Sequence, residues 1–260
     1  MSSNDDLYKY VYNKHSQRGH DGIIEKIMKE LSIDKGFFIE FGAWDGIHLS
    51  NTRYLYEKGW SGCFIEGDKE KYKDLCNNYK ETDIICLNEY IYPTEKEGKT
   101  IDNIYNENII DKCNEIDLLS IDIDGRDYEV LENMEIKPKV LIIEGGFSWH
   151  PSMKQKIPYD IAKDNLQQPL HVLIECAKNK GYMPICFNQD TFLLRNDLYY
   201  RHQYFQNIKN DTYTLWIKGY ENVLTDVDRN WLKQFRRGNY HINKYEKEYF
   251  EKNNIIKENL

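Results

Sequence analysis

Short apolar runs, most of them closing on a glycine or an acid, alternate up to residue 195 with longer stretches of helical spacing. Phe37 to Phe41, Gly62 to Glu66, Asp83 to Leu87, Asp117 to Asp122, Lys139 to Glu144, Tyr182 to Phe187 and Thr191 to Arg195 read as strands. Gly22 to Leu31, Leu49 to Lys58, Lys69 to Tyr79, Ile101 to Cys113, Tyr128 to Met134 and Asn165 to Lys180 read as the helices between them. This alternation leaves little choice of architecture: an α/β chain with a mostly parallel, doubly wound sheet covered on both faces. Only Asn188-Gln189-Asp190 separates the last two runs, so they are expected to pair as an antiparallel hairpin at one sheet edge.

With 260 residues the chain suits one such domain, expected over 21–198. An N-terminal extension over 1–20 and an aromatic, helical extension over 199–260 would flank it, the latter as a lid, a packing element or a contact in a homo-oligomer. A net charge of -8 argues against nucleic acid as a partner. No apolar stretch has the length of a membrane span or a secretion signal, which leads us to expect a cytoplasmic protein. The six cysteines lack a CxxC pair and are expected to be reduced thiols.

Ligands of doubly wound sheets sit beyond the carboxyl ends of the strands, so the loops after each run carry the functional argument. The first reads Glu40-Phe41-Gly42-Ala43-Trp44-Asp45-Gly46. Gly42 and Gly46 let backbone approach a ligand, and Glu40 offers a carboxylate to a cationic or hydroxyl-bearing group. A dinucleotide loop would need GxGxxG, whereas Trp44 stands at the middle glycine's place and an acid precedes Gly42. That suits S-adenosylmethionine (SAM), with its ammonium and sulfonium, better than a pyrophosphate. Glu66 ends the second run, where a carboxylate accepts both hydroxyls of a ribose, and Asn88 follows the third, either against an adenine edge or as an ordinary loop asparagine.

Asp122, Asp124 and Asp127 crowd the end of the fourth run, and Glu144 closes the fifth. Acids on adjacent strand ends converge on one mouth, where Asp122, Asp124 and Glu144 would hold Mg or Mn through hard oxygens or act in acid–base chemistry. His150, close by in sequence, is a further candidate base. A solvated acidic loop and a structural histidine before Pro151 are the plainer alternatives.

These residues resemble the FkbM-type methyltransferases, a branch of the class I SAM-dependent enzymes. The resemblance rests on the Glu40 to Gly46 loop with Leu49-Ser50-Asn51-Thr52, on Trp60 to Glu66, Thr100-Ile101-Asp102, Asp117 to Tyr128, Lys139 to Glu144 and Asn188 to Leu193, in that order. It implies a Rossmann-like seven-stranded sheet in the order 3-2-1-4-5-7-6. It also implies SAM over Glu40, Gly42, Ala43, Trp44, Gly46, Asn51, Glu66, Asn88 and Asp122, with Asp122, Asp124 and His150 as catalytic residues. The acceptor would be a hydroxyl of a sugar, nucleotide sugar or glycan. Glu40 and Asp124-Gly125 depart from the Asp-initiated first motif and the Glu-Gly pair of several members, which shifts the reach of both carboxylates. An NAD-dependent sugar-modifying enzyme and a non-catalytic nucleotide-binding module are the competing expectations; the first lacks an evident Tyr-x-x-x-Lys motif.

Overall fold

The computed structural model describes residues 6–146, 149, 151–158 and 167–223. Seven strands form one sheet: β1 (Phe37–Phe41), β2 (Ser61–Ile65), β3 (Ile85–Leu87), β4 (Leu118–Ile121), β5 (Val140–Glu144), β6 (Tyr182–Asn188) and β7 (Asp190–Arg195). Their order is β3-β2-β1-β4-β5-β7-β6, as the resemblance implies, with β7 antiparallel to β5 and β6 and every other pair parallel. The hairpin is tighter than expected: Gln189 alone, in the left-handed region at φ 71°, joins β6 to β7.

Every residue of β1 is buried, because helices cover both faces and no side of the strand meets water. Phe38, Phe64, Leu118, Ile142 and Phe192 pack on one face against Ile23, Ile24 and Ile27 of α1 (His20–Glu30) and Leu75 of α3 (Lys69–Tyr79). Alternate residues Ile39, Phe41, Ile65, Leu119, Ile121 and Ile143 point the other way, onto α4 (Ile101–Asn108), α5 (Asp127–Asn133) and α6 (Leu170–Asn179). The period-two switch thus fills two cores from one set of strands.

Between β1 and β2, α2 (Arg53–Glu57) is shorter than its apolar spacing suggests. Residues 50–52 are drawn out of the helix by hydrogen bonds to Glu40. Beyond β7 come two single-turn helices, α7 (Asn196–Tyr199) and α8 (Gln203–Gln206), and then α9 (Thr212–Val223). Leu215 and Trp216 of α9 pack on Phe187, Leu170 and Ile174. The N-terminal segment joins the same body. Leu7 and Tyr8 are in the core, and the Tyr8 hydroxyl donates to the Phe187 carbonyl at 2.7 Å while accepting from its N–H at 3.1 Å. Among the described residues no helix is long and apolar enough to cross a membrane.

Candidate active site

The winding reverses between β1 and β4, and a cleft of about 780 Å³ opens at their carboxyl ends. It is lined by Glu40, Gly42, Ala43, Trp44, Asn51, Glu66, Asp122, Asp124 and Glu144 among others, so residues scattered over more than a hundred positions meet in one place. Gly46 and Asn88 do not line it, and His150 lies outside the described residues.

Glu40 organises the floor. Its buried carboxylate accepts from the hydroxyls of Ser50 (2.7 Å) and Thr52 (2.5 Å) and from the backbone N–H groups of Asn51 (3.0 Å) and Thr52 (3.2 Å). Burial pushes its pKa up, while these four donors pull the other way. A ligand therefore meets the loop that Glu40 shapes more than the carboxylate itself.

Gly42, in the left-handed region at φ 72°, leaves β1 so close to β4 that a Cβ would stand 1.6 Å from the Asp122 carbonyl oxygen. Trp44 also has a positive φ, and its N–H donates to Glu66 Oε2 at 2.7 Å. The other Glu66 oxygen accepts from the Asp68 N–H at 2.7 Å, so Glu66 ties the β1 and β2 exit loops together while facing the cleft. Lys71 Nζ sits 3.7 Å from the centroid of the half-exposed Trp44 ring. Gly46 serves packing: a Cβ there would press on Tyr79 and Leu75, and the Tyr79 hydroxyl donates to the Gly46 carbonyl at 2.6 Å. Asn88 serves positioning, its carboxamide nitrogen donating to the carbonyls of Glu66 (2.8 Å) and Gly67 (3.0 Å).

At the other end of the cleft, carboxyl oxygens of Asp122, Asp127 and Glu144 lie within 4.8 Å of one another. Asp124 borders the cleft but stands outside that group, in a left-handed turn at φ 54°. Asp127, at the head of α5, takes the inner place. Its buried carboxylate holds the turn by accepting from the N–H groups of Ile123 (2.8 Å) and Gly125 (3.1 Å), and burial pushes its pKa up to about 6. Asp122 is raised further, first by burial and then by Glu144, Asp190, Asp127 and Asp124. Glu144 is also raised, by burial and by the charges of Asp127, Asp190 and Asp124, against a hydrogen bond from Asp122. Asp122 and Glu144 are both part-buried, and each is shifted toward its protonated form by burial and by the acids around it. Gln167 fixes the rotamer by donating to Glu144 Oε2 at 2.6 Å.

The donor set fits a divalent ion poorly. Each Asp127 oxygen already accepts from a backbone N–H of the turn, which leaves Asp122 and Glu144 as the acids of this group whose oxygens the turn does not occupy.

Other cleft residues carry chemistry that the loops alone did not single out. His48 is exposed, with its ring 5.9 Å from that of Trp44; Gln17 reaches in from the N-terminal segment; Tyr90 and Tyr92 stand beyond Glu66. His48 follows Gly46 so closely that extending the first loop by two residues would include it. Nothing local marks Gln17.

No family model matches the chain, and no curated protein matches it. Among solved structures it is similar to the CurJ carbon methyltransferase, at 10% identity and a TM-score of 0.44 over 73% of this chain and 56% of that one. It is also similar to the CMeT domain of the citrinin polyketide synthase, at 10% identity and a TM-score of 0.41 over 69% of this chain and 52% of that one. The chain thus spans little more than half the length of either structure.

Proposed function

We propose that the protein is a SAM-dependent methyltransferase acting on a hydroxyl of a sugar-like acceptor. The observation that carries this reading is the cleft at the β1/β4 switch point, which is lined by an acid at the end of β2, Glu66, and by the neighbouring carboxyls of Asp122 and Glu144. Its volume is that of a pocket for a cofactor-sized ligand.

SAM would supply a methyl group already activated by the sulfonium. Glu66 would accept from the ribose, and the open backbone of Gly42 and Ala43 with the Trp44 ring would bound the cofactor. The protein's remaining work is to align the acceptor and take its proton. Asp122 and Glu144 would hold an acceptor hydroxyl by hydrogen bonds and receive that proton; Asp124 and His48 line the same cleft. The acidic field at this end favours a neutral polyol over an acceptor with phosphate next to the reacting hydroxyl.

Isothermal titration with SAM, S-adenosylhomocysteine and NAD tests the cofactor. SAM and its product should bind and NAD should not; the reverse order would sink the reading. Glu66→Ala should weaken SAM binding by about 1 to 3 kcal/mol, the scale of hydrogen bonds lost beside a charged group. Methyl transfer should then be sought with radiolabelled SAM and a panel of free sugars, glycosides and glycans. Turnover found in that panel should survive excess EDTA within about twofold, because both oxygens of Asp127, one of the three clustered acids, are already engaged by the turn. Loss in EDTA with recovery in Mg or Mn would return the site to metal-assisted chemistry.

A further inference from the structure

Ahead of α1, residues 13–19 form a strap that is tied down on two sides of the candidate site. On one side a backbone bridge joins Ser16 to Leu49 of the β1 exit loop. On the other, Arg18 Nε donates to Gln189 Oε1 at 2.7 Å and the Arg18 carbonyl accepts from the Asn188 side chain, which fastens the strap to the β6–β7 hairpin. The Asp21 carboxylate fixes its first half by accepting from the N–H groups of Lys14 (2.7 Å), His15 (2.8 Å) and Ser16 (2.9 Å). In the sheet β4 and β5 lie between β1 and that hairpin, so the strap runs on the side of the cleft that holds Asp122 and Glu144, away from Glu66 at the end of β2.

Gln17 sits between the two anchors. Among the described residues ahead of β1 it alone lines the cleft. Every other polar side chain from Asn13 to Arg18 has a protein partner: Asn13 accepts from the Gly19 N–H, Lys14 and His15 reach Glu57 at 2.5 and 2.9 Å, Ser16 Oγ accepts from the Asp21 N–H at 2.8 Å, and Arg18 holds Gln189. The half-buried Gln17 carboxamide hydrogen-bonds to no described residue. Backbone conformation marks the same place. The anchoring residues Arg18 (φ 55°), Leu49 (φ 57°) and Gln189 (φ 71°) are all in the left-handed region, as are Trp44 and Asp124 in the cleft wall. Residues other than glycine stay there only where their surroundings fix them, and they gather at ligand sites.

We infer that Gln17 binds the acceptor, its carboxamide recognising a vicinal pair of hydroxyls next to the one that is methylated, so that the site selects a polyol over a simple alcohol. A carboxamide is neutral and carries both an acceptor oxygen and a donor nitrogen, so it accepts from one hydroxyl of such a pair and donates to the other. Because the strap's backbone is pinned, only the Gln17 side chain has to be ordered when the polyol arrives, which limits the entropy lost on binding. The part of Gln17 in turnover rests on the methyltransferase reading, whereas its part in holding a polyol does not.

Saturation-transfer NMR tests the binding, with the intact protein, S-adenosylhomocysteine and, in turn, methyl glucoside, methyl galactoside and methyl mannoside. At least one glycoside should bind, and Gln17→Leu should weaken it about tenfold, the scale of a lost pair of neutral hydrogen bonds. The affinity for S-adenosylhomocysteine and the melting temperature should stay as in the parent protein. Cyclohexanol, with its single hydroxyl, should not distinguish the two proteins. If Gln17→Leu melts below the parent, Gln17→Ala serves, with the same expected loss. Absence of binding by every glycoside, or equal binding by both proteins, would overturn the inference. Weaker binding of S-adenosylhomocysteine to a stably folded Gln17→Leu would also overturn it, by placing Gln17 on the cofactor. Methyl transfer to an acceptor whose KM does not move in Gln17→Leu would overturn this inference alone. Gln17-dependent binding of a glycoside without methyl transfer from SAM would overturn the proposed function alone.

Discussion

Gly42→Val is expected to leave little folded protein, with a loss of stability beyond about 4 kcal/mol in whatever folds. Two independent penalties meet at this position. The residue lies at φ 72°, which a β-branched side chain adopts only under strain. Its Cβ would also stand 1.6 Å from the Asp122 carbonyl oxygen, and that atom is backbone of the central strand's neighbour, so no rotamer change relieves the clash. Moving it would disturb the Asp122 N–H bond to the Phe41 carbonyl, which joins β1 to β4 at the cleft. Urea unfolding of Gly42→Val and Gly42→Ala against the parent protein checks this. A Gly42→Val protein with an unchanged midpoint would mean that the two strand ends are not this close.

Asp122→Asn should separate activity from folding. Turnover should fall at least about a hundredfold, the lower range for losing a member of an acid–base pair, while SAM affinity changes little. Stability should move the opposite way. Burial and the acids around it raise the pKa values of Asp122 and Glu144, so above the ordinary carboxylate range the folded state retains a proton that the unfolded chain has released. The sign is then fixed: the contribution of this pair to stability is whole at low pH and is lost as pH rises through neutrality toward the raised values. Asparagine carries no charge to desolvate, so Asp122→Asn should melt above the parent protein at pH 8, and its melting temperature should decline less between pH 5 and pH 8. Equal pH slopes for both proteins would show that Asp122 is not held protonated. Retained turnover would remove it from the chemistry.

The amino-acid sequence marks part of the site. Glu66, Asp122 and Glu144 stand out because each closes an apolar run, and a strand buried on both faces delivers its last side chain to the same edge as its parallel neighbours. Roles are harder to read than locations. Glu40 looks like a ligand contact in one dimension, yet its four hydrogen bonds go to residues 50–52, which no periodicity connects to it. Asn88 likewise turns its amide onto the Glu66 and Gly67 carbonyls. Asp124 and Asp127 are equivalent as letters in a crowded acidic stretch. A left-handed turn at Asp124 and Gly125 decides that Asp127 faces inward with Asp122 and Glu144.

Side-chain period and the points where apolar runs stop belong to the chain alone, and they suffice for the alternation of strands and helices, the antiparallel hairpin at one edge and the set of strand-end acids. They do not say which of those acids come within reach of one another, or that Asp190 lies beside Glu144 and His20 behind it. The charge state of a buried group depends on every neighbour within a few ångströms, and those neighbours come from α1, β4, β5 and β7, segments that only the folded sheet brings together.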